Sequence, residues 1–141
     1  MPPDSRRNGR FRNQKKLSDA QRRLRHPRAA PLLSPDAPAT IVRVPGSADL
    51  LAVWNDHCGQ AESYRRTQPP KRTPLAAAVS HDAGRTWINH RIIEDLPGHG
   101  YCYTAVAFAG DRVLLAYCAH NSRYGLETTQ VSSFPLSAIK P

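Results

Sequence analysis

Ser80-His81-Asp82-Ala83-Gly84-Arg85-Thr86-Trp87 is the stretch on which the fold turns. It places turn chemistry at fixed spacing, S-x-D-x-G-x-T-W. Asp82 is set to accept hydrogen bonds from backbone N–H groups of its own turn, as Asx-turn residues do. Gly84 supplies a positive φ. Thr86 adds a second local bond through its hydroxyl. Trp87 opens the strand that follows and packs the turn against a sheet. Ser80, Asp82, Gly84, Thr86 and Trp87 therefore read as structural residues that fasten a β-turn in place.

The residues on either side read as strands. Upstream, Thr40 to Val44 is β-branched and ends at the Pro45-Gly46 turn. Leu50 to Trp54 is a continuous apolar run, suited to a strand covered on both faces. His57 to Lys71 is polar and proline-containing and reads as a long loop, and Pro74 to Ser80 is the strand entering the turn. Downstream, Trp87 to Glu94 is a strand, Asp95 to Gly100 a loop, Tyr103 to Ala109 and Val113 to Cys118 a pair joined by Gly110-Asp111, and Thr128 to Phe134 a last strand. Residues 40 to 54 can be laid over residues 104 to 117, with Leu50-Leu51-Ala52 on Leu114-Leu115-Ala116 at an offset of 64 residues. Four-stranded units in tandem are the blades of a β-propeller. The fold class predicted is all-β.

The first 37 residues differ. The chain has 141 residues and a net charge of +9. Residues 1 to 37 hold eight Arg and two Lys against three Asp, so most of the charge lies there. With one aromatic, Phe11, and few β-branched residues, this segment cannot offset its ordering entropy and reads as a disordered basic arm. A short helix from Ser18 to Leu24 is the one element it suggests, stopped by Pro27. Its charge suits phosphate neutralisation. One aromatic gives no base-stacking platform and no nucleic-acid module follows, so the sequence argues against a nucleic-acid partner. The domain proper is expected over residues 38 to 141.

Beyond the turn motif, the chain resembles the sialidase (neuraminidase) superfamily. Ser80 to Trp87 matches the Asp-box, or BNR repeat, found on sialidase propeller blades. Ala39 to Pro45, Asp49 to Asp56, Arg72 to Trp87 and Ile93 to Cys118 are similar to the C-terminal part of bacterial sialidase-like proteins. The resemblance covers about three quarters of the chain, from Ser34 onward, and leaves the basic arm without a counterpart. It implies a partial β-propeller of about one and a half to two blades out of six, in which the Asp-box is a folding element.

What the resemblance implies chemically is hydrolysis of terminal sialic acid glycosides. The family uses a Tyr nucleophile because the substrate's own carboxylate sits beside the anomeric centre. A Glu takes the tyrosine proton, an Asp serves as acid and base, and three arginines clamp the carboxylate. Tyr103-Thr104-Ala105-Val106 matches the nucleophile pattern, so Tyr103 is the catalytic candidate. Arg72, 31 residues upstream, is the candidate carboxylate ligand. Tyr101 is the alternative nucleophile, since alternate residues of a strand share a face. Cys118 stands where many family members carry a Glu. The activating Glu, the acid/base Asp and the other two arginines are expected to lie in blades that this chain does not encode. The isolated chain is accordingly expected to be a fragment without activity. The alternative is a non-catalytic BNR propeller module that binds carbohydrate or protein.

The remaining signals exclude more than they assign. Cys58, Cys102 and Cys118 form no CxxC pair, and Cys102 and Cys118 read as small apolar strand residues. The six His show no metal-ligand spacing, so neither metal nor cofactor is predicted. No apolar run is long enough for a membrane helix and no secretory signal is visible, which leaves the compartment unassigned. Exposed strand edges are expected to favour self-association.

Overall fold

Four strands of the computed structural model form an antiparallel meander: β1 (Thr40–Arg43), β2 (Leu50–Asn55), β3 (Leu75–Ser80) and β4 (Ile88–Glu94), hydrogen-bonded in that order. Three more, β5 (His99–Ala109), β6 (Arg112–Asn121) and β7 (Thr128–Pro135), form a second antiparallel sheet in chain order. A single 3-10 turn, Leu136–Ala138, follows. The structure describes residues 29–35, 37–58, 72–121 and 128–139. The Ser18–Leu24 helix, the basic arm through residue 28 and residues 59–71 of the long loop lie outside the described residues. The described residues are all-β and contain no α-helix.

Hydrophobic pattern explains which strands are central. The apolar runs of β2 and β3 place them in the middle of the first sheet, where every residue but Leu50 is buried. β6 alternates instead. Val113, Leu115, Tyr117 and Ala119 are buried, and the residues between them are half-buried, so one face of the second sheet meets the first. The two sheets pack face to face: Leu51, Val53, Leu75, Ala77 and Val79 from the first form one cluster with Tyr101, Val113, Leu115 and Tyr117 from the second. Ala52, Trp54, Ala76 and Ala78 form a second cluster on the other face of the first sheet.

Two element bounds differ from the sequence reading by more than one residue, and Trp87 lies just before β4 rather than in it. β5 begins at His99 rather than Tyr103, and β6 runs to Asn121 rather than Cys118. Backbone pairing of His99 with Asn121 and Gly100 with His120 extends the ladder across residues whose polarity reads as loop. Pro97 and Gly98 are confined to a tight turn, closed by the His99 N–H on Leu96 O at 3.1 Å. The end of the segment assigned to the arm is also placed. Leu32 packs on the Trp54 cluster, and the His57 N–H donates to Leu33 O at 3.2 Å.

Side-chain bonds tie the sheets together at several points. Thr40 Oγ1 donates to Thr104 O at 2.6 Å, Asn55 Nδ2 to Tyr101 O at 3.0 Å, and Asn89 Nδ2 to Ile139 O at 3.1 Å. The Tyr117 hydroxyl donates to Glu94 Oε1, which also accepts the Gln130 amide at 2.9 Å. Burial first, and the Glu94 contact second, push the Tyr117 pKa up to about 12.

Candidate functional site

The turn between β3 and β4 is held by Asp82. Its Oδ1 accepts the Arg85 N–H at 3.0 Å and the Thr86 N–H at 2.8 Å, and its Oδ2 accepts the Thr86 hydroxyl at 2.7 Å. Ser80 Oγ donates to Asp82 Oδ1 at 2.8 Å and accepts the Gly84 N–H at 2.8 Å. Gly84 has φ +85°, where a side chain is disfavoured. Trp87 packs with Trp54 on the outer face of the first sheet.

These bonds make the turn acid-sensitive. The Thr86 backbone bond, followed by its hydroxyl, lowers the Asp82 pKa from 3.8 to about 2. A depressed folded-state pKa adds stability that is complete above the unfolded value and is lost as pH falls through the folded one. The melting temperature is expected to drop between about pH 4 and pH 2. Asp82→Asn should flatten that part of the slope in melts recorded across the range.

Arg72 and Tyr103, 31 residues apart in sequence, are adjacent. The Arg72 guanidinium carbon lies 5.0 Å from the centroid of the Tyr103 ring. The Tyr103 side chain first, and Cys102 second, push the Arg72 pKa up. The pair joins the sheets: Arg72 leads into β3, and the Tyr101 N–H of β5 donates to Arg72 O at 2.7 Å.

Tyr101 and Tyr103 do not share a face, contrary to the strand alternation expected of them. Tyr101 is 1% exposed, with its ring edge-on to Tyr117 at 5.9 Å, whereas Tyr103 is 55% exposed. The cause is a register shift between Cys102 and Ala105, with Tyr103 itself at φ +56°. A bulge of this kind re-aims one side chain out of the pleat. Tyr101 is thereby part of the core, and Tyr103 is the accessible phenol.

That φ carries a stability signature. Left-handed backbone costs a non-glycine residue of order 1–2 kcal/mol, most for a β-branched one. Tyr103→Val is therefore expected to be less stable than Tyr103→Gly by about 1–2 kcal/mol in urea unfolding. An ordinary strand position would rank the two the other way.

The first sheet carries a second polar cluster. Trp54, Trp87, Asp56, His90, Arg85 and Leu32 are among the residues lining a cavity of about 500 Å³. His90 Nε2 lies 2.7 Å from Asp56 Oδ2, and its ring meets Trp54 edge-on at 5.6 Å. Burial opposes the Asp56 charge, but hydrogen bonds from Cys58 and the nearby His90 outweigh it, so its pKa is lowered.

Two residues of this region went unread in the sequence. Asn55 and Thr40 bond to β5 on either side of Tyr103. Asn55 offered one signal, as a polar residue closing an apolar run. Cys102 and Cys118 are directly paired across β5 and β6, one buried and one half-buried, and neither is in a disulfide. Among the described residues, no group of three or more His, Cys, Asp or Glu is arranged to hold a metal, and no helix is long and apolar enough to cross a membrane. Comparison with protein-family models, curated proteins and solved structures finds no match to this chain.

Proposed function

We propose that this chain forms about one and a half to two blades of a sialidase-like β-propeller, and that Arg72 and Tyr103 are its clamp arginine and its nucleophile-position tyrosine. The observation that carries this reading is the placement of the Arg72 guanidinium over an exposed, re-aimed Tyr103. The architecture supports it in three ways. One meander has four strands and the next three, the Asp82 turn sits between the third and fourth strands, and the first strands of both meanders touch through Thr40 and Thr104. The ligand class is a sugar bearing a carboxylate, of which sialic acid is the type. The guanidinium would bind that carboxylate through charge-assisted bonds, beside the phenol.

Binding is separable from turnover here. Phenol attack requires a base, because free Tyr has a pKa of about 10. Among the described residues no carboxylate bonds to the Tyr103 hydroxyl, and Glu94 is occupied by Tyr117 and Gln130. Of the other described arginines, Arg112 is bonded to Ser133, Arg43 to Ala48 O, Arg85 lies in the Asp82 turn, and Arg91 is exposed on β4. This favours the second reading for the chain by itself, a carbohydrate-binding propeller module without turnover.

The test is a titration with N-acetylneuraminic acid and with galactose, run beside a fluorogenic sialoside assay. Binding of the acidic sugar alone, without hydrolysis, is the expected result. Equal response to both sugars, or to neither, would remove the carboxylate-site reading.

A further inference from the structure

We infer that Asn55 and Thr40 are positioning residues that hold Tyr103 beneath Arg72, a proposal that rests on reading that pair as the site. Between Cys102 and Ala105 the register of β5 against β6 shifts, so the regular ladder is interrupted where Tyr103 sits. Two side chains of the first sheet bond there instead. Asn55 Nδ2 donates to Tyr101 O at 3.0 Å, and Thr40 Oγ1 donates to Thr104 O at 2.6 Å. The carbonyls on both sides of the Cys102-Tyr103 step are thus fixed from across the interface.

Asn55 also holds the other half of the pair. The same Nδ2 donates to Pro74 O at 3.3 Å, and the side chain is 1% exposed. Its neighbours grip the same segment. The Asp56 N–H donates to Pro74 O at 3.2 Å, and His57 Nε2 lies 3.1 Å from Thr73 O. The loop closes through the Tyr101 N–H on Arg72 O. The end of β2 is therefore bonded both to the strand of Tyr103 and to the segment of Arg72. An amide suits this position because its NH₂ carries two donors for two carbonyls. A leucine could fill the space but donate nothing, and a carboxylate would face two carbonyl oxygens.

The geometry explains how an aromatic residue keeps φ +56°. Uncommon backbone conformations persist where surrounding bonds over-determine them, and they gather at functional sites. Loss of either anchor lets residues 102 to 104 relax toward regular pleat, and the phenol swings away from the guanidinium.

The experiment uses NMR on the full chain. In the wild type the Arg72 guanidinium carbon lies 5.0 Å from the Tyr103 ring centroid, so its side-chain protons are expected to be shifted upfield. Asn55→Ala is expected to abolish that shift, and Thr40→Val to reduce it, in proteins that keep the dispersed spectrum of the folded sheets. A purely structural role would lower the melting temperature of both variants and leave the Arg72 resonances in place, and that result overturns the proposal. If Asn55→Ala does not fold, Thr40→Val decides alone. A parallel titration with N-acetylneuraminic acid separates the two claims. Variants that lose the ring shift while wild type ignores the sugar uphold the positioning role and remove the sugar site. A wild type that binds the sugar, beside folded variants with unchanged Arg72 resonances, does the reverse.

Discussion

Truncating Leu115 to alanine is expected to destabilise the fold by about 2–5 kcal/mol, the range for deleting a fully buried leucine side chain. Leu115 is 0% exposed and sits mid-strand in β6, paired with Val106 and Ser132. It belongs to the cluster that joins the sheets, with Leu51 and Val53 from the facing one. Deletion removes apolar contact area and leaves a cavity that rigid strands cannot close. Small domains are stable by only about 5–15 kcal/mol, so one such change consumes much of the total. Urea unfolding should show a lower midpoint at unchanged slope. Val131→Ala, at a residue 68% exposed on β7, is the control and should stay within about 0.5 kcal/mol. Equal effects at the two positions would mean that the sheets do not pack face to face.

The second large effect concerns binding. Arg72→Ala is expected to weaken affinity for N-acetylneuraminic acid by about 10–100-fold, because a hydrogen bond to a charged group contributes about 1.5–3 kcal/mol. Arg72→Lys keeps the charge but loses the planar fork, and should fall between. Stability should change much less, since an exposed cation–aromatic contact is worth about 0.5–1 kcal/mol. Titration and urea unfolding on the same samples separate the two. A drop in affinity matched by unfolding would point to a structural arginine; unchanged affinity would place the sugar elsewhere.

The strands were legible in the sequence for a simple reason. Runs such as Leu50 to Trp54 and Leu75 to Val79 are apolar without interruption, and only the middle of a sheet buries both faces of a strand. The Asp82 turn was legible because its bonds are local, within six residues of Ser80. The site was less so. Proximity of Arg72 to Tyr103 followed from resemblance to a family pattern, not from any local rule. The opposite orientations of Tyr101 and Tyr103 were not legible at all. Period-2 alternation assigns them one face, and the bulge that separates them arises from pairing with β6, which no local residue pattern announces. Asn55 and Thr40 act across the sheet interface, so their partners appear only once both sheets are assembled. Strand ends at His99 and Asn121 were missed because backbone pairing there does not depend on side-chain polarity.

A crystal structure of the chain with N-acetylneuraminic acid bound decides whether Arg72 and Tyr103 form a sugar site. The sugar carboxylate is expected at hydrogen-bond distance from the Arg72 guanidinium, with the ring beside the Tyr103 hydroxyl and the left-handed backbone at Tyr103 unchanged. A sugar bound away from both side chains, or crystals that hold none at saturating concentration, would contradict it.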